Sequence, residues 1–143
     1  MIRLYCMKEK FTIALVDDNK EILEAYKGLL STDFNVISFD SANTFLQIAA
    51  GLDLDLVVLD IHMPEKDGYQ TYTELKNTLP RTPVIFLSGD PSEESIVRCL
   101  ELGADDVLNK PVSKKEFVAR IHNKIKSARS TAVIEDKINI DEL

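Results

Sequence analysis

Two runs in mid-chain constrain the fold more than anything else in the sequence: "LDLVVLD" at 54–60 and "TPVIFLS" at 82–88. Their centres are apolar at every position, without the alternation of a strand that has one wet face. Such runs belong to central strands of a parallel sheet, which helices cover on both sides. The neighbouring sequence supplies more strands and the helices. "FTIALVD" reads as a first strand, and "NKEILEAYKGLLS" then sets Ile22, Leu23, Tyr26, Leu29 and Leu30 at helical spacing. "FNVISFD" is a second strand, and "SANTFLQIAAG" is a helix with Ser41 as N-cap and Gly51 as its stop. The spacing predicts a helix over about 68–79 and another over "SEESIVRCLELG", capped by Ser92 and closed by Gly103. "DDVLNK" is a short fifth strand, and "SKKEFVARIHNKIKSAR" is the last helix. Strand and helix alternate five times, and short connections between them favour parallel strands joined by right-handed crossovers. The fold class is therefore α/β, with a five-stranded doubly wound parallel sheet over residues 11–128. Residues 1–10 form an N-terminal extension and residues 129–143 a C-terminal one.

A chain of 143 residues is the length of one ordinary domain. Its net charge of −7 argues against general affinity for nucleic acid or an anionic membrane. Two cysteines, Cys6 and Cys99, are too few for a disulfide framework and point to a reducing compartment. No apolar run has membrane-spanning length and no secretory leader is visible, so the expected location is the cytoplasm.

In an open parallel sheet, ligands bind outside the carboxyl ends of the strands. Asp17 and Asp18 follow the first strand, Asp60 the third, Ser88 the fourth and Lys110 the fifth. Carboxylates ~4 Å apart repel by about 4 kcal/mol at an effective dielectric of 20. One lysine does not offset three of them, whereas a divalent cation does. Few protein oxygens and several waters suit Mg²⁺, so Asp17 or Asp18 together with Asp60 reads as a Mg²⁺ site. A metal clustered with a hydroxyl and a lysine is also a phosphoryl-binding arrangement. The carboxylate nearest the metal can act as nucleophile toward an activated phosphate, giving an aspartyl phosphate.

"LVDDNKE", "LVVLDIHMPEKDG", "VIFLSGD" and "GADDVLNKPV" resemble, in order, the signature blocks of response-regulator receiver domains. The resemblance covers about residues 11–128 and implies a flavodoxin-like (βα)5 fold and a role in two-component signalling. It implies that Asp60 accepts a phosphoryl group from a sensor histidine kinase or a histidine phosphotransfer protein. Asp17, Asp18 and Asp60, with the backbone carbonyl of His62, would hold Mg²⁺. Ser88 and Lys110 would contact the phosphoryl oxygens, and the Lys110–Pro111 bond would be cis. Such a domain is not a conventional enzyme, though it promotes its own phosphorylation and dephosphorylation. His62 and Asp90 would flank the path of an attacking water.

Simpler readings exist for single residues. Asp18 to Glu21 fits a helix capping box. Asp60 alone is an ordinary strand-end residue, Ser88 a loop serine and Lys110 a solvated lysine. His122, between Ile121 and Ile125, reads as solvated. Cys99 reads as core packing or a partly exposed thiol. One position departs from the family: receivers usually carry Tyr or Phe three residues before the lysine, and here it is Val107. Valine is short and stiff at χ1, so a large aromatic swing is lost. The expected switch is smaller on the face of the fourth helix, fifth strand and fifth helix, or is carried by the loop after Ser88.

Other functions fit less well. A phosphohydrolase of the haloacid dehalogenase type also forms an aspartyl phosphate, but it needs D-x-D-x-[TV] after the first strand, which "DDNKE" does not supply. An FMN binder would want a hydroxyl- and glycine-rich loop where the two acids stand. A receiver that no longer takes phosphate would not keep all five polar residues. The tail "STAVIEDKINIDEL" has no clean heptad register. It extends the last helix, docks on the domain, or begins a linker to an output domain. "NIDEL" resembles the opening of a diguanylate cyclase domain, and a homodimer is left open.

Overall fold

The computed structural model describes residues 10–89 and 92–141; the side chains of residue 93 and of residues 131–141 lie outside the description. Five parallel strands form one sheet in the order β2-β1-β3-β4-β5: β1 (Thr12–Val16), β2 (Asn35–Phe39), β3 (Leu56–Asp60), β4 (Val84–Ser88) and β5 (Asp106–Asn109). The helices are α1 (Lys20–Leu30), α2 (Ala42–Ile48), α3 (Gly68–Thr78), α4 (Glu93–Glu101) and α5 (Lys114–Asp141), with a 3-10 turn at Ala49–Gly51. β3 and β4 are buried at every residue, whereas the edge strands β2 and β5 are only partly buried. The all-apolar runs thus occupy the middle of the sheet.

Alternate strand residues feed two cores. Ile13, Leu15, Val58 and Ile85 face Leu23 and Leu30 of α1 and Phe117 and Ile121 of α5. Ala14, Val57, Leu59 and Phe86 face Phe45 of α2, Tyr72 and Leu75 of α3 and Cys99 of α4. Cys99 is fully buried, and burial pushes its thiol above its ordinary pKa, so it is a packing residue. His122 is exposed, as expected from the sequence, with its ring against the core edge 4.9 Å from Phe34 and 6.0 Å from Phe11, centre to centre.

Ser41 and Ser92 cap their helices as the sequence predicts, and Gly103 closes α4 with φ of 95°, a region that favours glycine. The cap of α1 differs. Its N-cap is Asn19, whose side chain accepts from the Glu21 and Ile22 amides, so Asp18 is not the capping residue. The last helix continues past residue 129 to Asp141, the first of the readings of the tail. The tail therefore extends α5, at least to that point. Most of the 1–10 extension, Asp90 and the end of "NIDEL" lie outside the described residues.

Arg129 fastens α5 where it passes the amino ends of the strands. Its guanidinium donates to Asp55 Oδ1 at 2.8 Å, and Asp55 Oδ2 accepts the Thr12 amide at 2.8 Å. The Asp55 carboxylate is nearly buried, at 8% exposure. Asp55→Ala leaves both donors without this acceptor and is expected to cost about 2 kcal/mol in urea unfolding. It should not affect chemistry at the opposite end of the sheet.

Candidate functional site

The strand order reverses between β1 and β3, and the carboxyl ends of these strands flank the crevice where such sheets bind ligands. Asp17 continues β1, and its amide donates to the Phe39 carbonyl of β2 at 3.1 Å. Its Oδ1 accepts the Asn19 amide at 2.9 Å, which holds the carboxylate while Oδ2 faces the sheet end. Asp60 closes β3. The Lys110 ammonium donates to Asp17 Oδ2 at 2.8 Å and to Asp60 Oδ1 at 3.0 Å. Asp17 and Asp60 are 1% and 4% exposed, while Asp18 is exposed.

Each of Asp17, Asp18 and Asp60 offers an oxygen within 4.8 Å of the other two. Octahedral bonds of 2.0–2.1 Å would place neighbouring ligand oxygens about 3 Å apart and opposite ones about 4 Å apart. Small side-chain shifts bring this set into that range, so the residues fit a hard divalent cation. Formally, three carboxylates and one ammonium leave a charge of −2, which one such ion would cancel. The imbalance is visible in Asp60, whose pKa is raised from 3.8 to about 6. Burial is the largest cause and the Asp17 charge the next; Lys110 pulls the other way and Asp18 adds to the rise. For Lys110, burial pulls the ammonium down, yet its bonds to Asp17 and Asp60 and their charges hold it above its ordinary value.

Ser88 closes β4, fully buried, and its carbonyl accepts the Lys110 amide at 2.8 Å. The Lys110–Pro111 bond is cis, as expected. His62 is exposed, two residues past Asp60. Val107 packs partly buried against the second core, paired with Phe86. The aromatic groups beside Phe86 come from α3, with Tyr69 and Tyr72 at 5.9 and 5.5 Å. The Arg98 guanidinium of α4 lies 3.9 Å from the Tyr69 ring centre.

Two features escape a reading by strand ends. Gly68 opens α3 against the backbone of Asp60: its amide donates to the Ile61 carbonyl at 2.8 Å, and a Cβ there would lie 2.4 Å from the Asp60 carbonyl oxygen. Glu65, between them, has φ of 67°, and the Lys66 amide reaches the Pro64 carbonyl at 2.7 Å across it. That is a γ-turn with positive φ, a strained form that tightens the loop after Asp60. A glycine at a helix start was the available sign for the first; nothing in the sequence marks the second.

A family model described as response regulator receiver domain matches residues 13–122. The chain belongs to that family. Among curated relatives, the cell cycle response regulator CtrA of Brucella ovis is 31% identical over 121 residues, 84% of this receiver chain and 52% of its own. This receiver thus spans about half the length of the curated relatives it matches. DrrB, an OmpR/PhoB homolog of Thermotoga maritima, is 32% identical with a TM-score of 0.74, over 82% of this chain and 54% of its own. A CheY-like receiver from Methanospirillum hungatei is 25% identical with a TM-score of 0.79, over 85% of this chain and 98% of its own. The receiver is a signalling domain of two-component systems, and the haloacid dehalogenase alternative has no support in these matches. No helix among the described residues is long and apolar enough to cross a membrane.

Proposed function

We propose that this receiver accepts a phosphoryl group on Asp60 from the phosphohistidine of a cognate histidine kinase or phosphotransfer protein, with Mg²⁺ bound by Asp17, Asp18, Asp60 and the His62 carbonyl. The observation that carries this reading is the cluster of three carboxylates within 4.8 Å, two of them bridged by Lys110. In the transfer, an Asp60 carboxylate oxygen forms a bond to phosphorus while the histidine N–P bond breaks and the imidazole leaves with its electron pair. When bound, Mg²⁺ neutralises charge on the phosphoryl oxygens and on the acids around them. Lys110, already against Asp60, is placed to turn its ammonium toward a phosphoryl oxygen. Ser88 supplies a hydroxyl at the neighbouring strand end. Asp60 is nearly buried and lies beside the fixed Asp17, so it meets the phosphoryl group with little solvent to displace. The domain works in the cytoplasm, and its output lies in a further domain or a separate protein. Relatives include a BeF3-activated DrrB receiver domain, which shows that this fold takes such an adduct in that protein.

Asp17→Ala and Asp18→Ala are each expected to weaken Mg²⁺ binding at least tenfold and to abolish phosphorylation by acetyl phosphate, with the fold kept. Isothermal titration and circular dichroism check the two halves. Because Val107 stands where an aromatic ring would swing, phosphorylation should shift amide resonances after Ser88 more than those of β5. A large change across α4, β5 and α5 would contradict the smaller switch.

A further inference from the structure

The turn that carries Lys110 is tied to α1 by a side chain outside the acidic cluster. Past Lys110, Pro111 has no N–H to give, so Val112 supplies the next main-chain donor. Its N–H is taken by the Tyr26 hydroxyl at 3.3 Å, across 86 positions of sequence. Tyr26 is held in turn, its ring edge-on to Phe117 of α5 at 5.4 Å and packed against the first core. Beyond Val112, Ser113 already belongs to the helix start, its hydroxyl accepting the Glu116 amide at 3.2 Å. Lys110 is therefore fixed on one side by the Ser88 carbonyl and on the other by Tyr26.

We propose that Tyr26 is a positioning residue for phosphoryl acceptance: its hydroxyl holds the Lys110–Val112 turn so that the Lys110 ammonium stands between Asp17 and Asp60. The inference rests on the phosphoacceptor reading above. A lysine reaches its target through a flexible four-carbon stem, so its ammonium is placed only as well as its main chain is. Misplacement of ~1 Å at a reacting centre costs up to about 10²-fold in rate. Asp17, Asp18 and Asp60 do not depend on this turn for their backbone positions, so metal binding and phosphoryl binding should separate.

The test is Tyr26→Phe, which keeps the ring and its packing on Phe117 and removes the acceptor. Beryllofluoride, a phosphoryl mimic, is titrated with saturating Mg²⁺ by isothermal calorimetry, and Mg²⁺ is titrated alone. Beryllofluoride should bind about fivefold more weakly, the effect of one hydrogen bond of about 1 kcal/mol. Mg²⁺ affinity should stay within about twofold, and hydrogen exchange at the Val112 amide should accelerate. Phe45→Leu, in the second core away from Tyr26 and the Lys110 turn, is the packing control: it should lower the melting temperature and leave beryllofluoride affinity unchanged. If Tyr26→Phe exchanges faster at Val112 but binds beryllofluoride like wild type, the positioning role is wrong and the phosphoacceptor reading stands. If Phe45→Leu weakens beryllofluoride as much as Tyr26→Phe does, the effect is general loosening and the positioning role is equally wrong. If wild type itself takes no Mg²⁺-dependent adduct, the phosphoacceptor reading fails and this inference falls with it.

Discussion

Asp60→Asn should make the metal-free protein about 2–3 kcal/mol more stable at neutral pH. The folded protein raises the Asp60 pKa from 3.8 to about 6, through burial first and the Asp17 charge second. Each unit is about 1.4 kcal/mol between the two protonation states, so ionised Asp60 costs the fold roughly 3 kcal/mol at most. The sign follows from proton binding. The folded state holds this proton more tightly than the unfolded state does. The relative stability it confers is complete below the unfolded pKa near 4, and it is lost as pH rises through about 6. Metal-free wild type should therefore lose stability between about pH 4 and 6 in excess of Asp60→Asn, whose side chain does not titrate. Urea unfolding in EDTA across that range measures the difference. Asn still leaves Lys110 its bond to Asp17, so the ammonium is not stranded. Mg²⁺ should reverse the order by binding and stabilising wild type far more than the variant. Equal stability of the two proteins at neutral pH without metal would contradict the electrostatic account of the site.

Gly68→Ala is expected to be the most damaging single-carbon addition near the site. At an ordinary first helical position, alanine would stabilise by about 1 kcal/mol. Here the added carbon would lie 2.4 Å from the Asp60 carbonyl oxygen and 2.8 Å from Ile61 Cα. Both are backbone atoms in or beside a buried strand, so no flexible side chain yields. Either α3 lifts or the end of β3 bends. Overpacking of this kind costs typically about 1–3 kcal/mol, enough to outweigh the gain in helix propensity. The larger effect is on chemistry, because the displaced residue carries the candidate nucleophile. Phosphorylation by acetyl phosphate should slow at least tenfold, even at temperatures where the variant is fully folded. Unchanged stability and rate would mean that α3 does not seat on Asp60 as described.

What could be read in the sequence, and what could not, divides along physical lines. The central strands were legible because burial on both faces leaves no polar position within Leu56–Leu59 or Val84–Leu87. Strand order then brings Asp17, Asp18, Asp60 and Lys110 to one sheet end although each is unremarkable alone. The capping-box alternative for Asp18 arises because Asp18 and Asn19 are both capping residue types, and Asn19 is the one that caps. The backbone turn that hands Asp17 Oδ1 the Asn19 amide also puts the Asn19 side chain over the first turn of α1. The sequence leaves the tail open between helix extension, docking and linker because its later apolar residues lack the spacing of a core stripe; no glycine or proline stops the helix before Asp141, and α5 runs to that point. Gly68 and Tyr26 act through contacts with backbone atoms or with residues distant in sequence; a glycine at a helix start hints at the first, and nothing in the sequence marks the second.

The central claim is that Asp60 accepts a phosphoryl group in a site completed by Mg²⁺. Intact-mass spectrometry after incubation with acetyl phosphate tests it most directly, with Mg²⁺ or with EDTA, on wild type and Asp60→Asn. The account predicts one hydroxylamine-labile phosphoryl adduct on wild type with Mg²⁺, and none with EDTA or on the variant. An unmodified wild type, or an adduct that survives in Asp60→Asn, would contradict it.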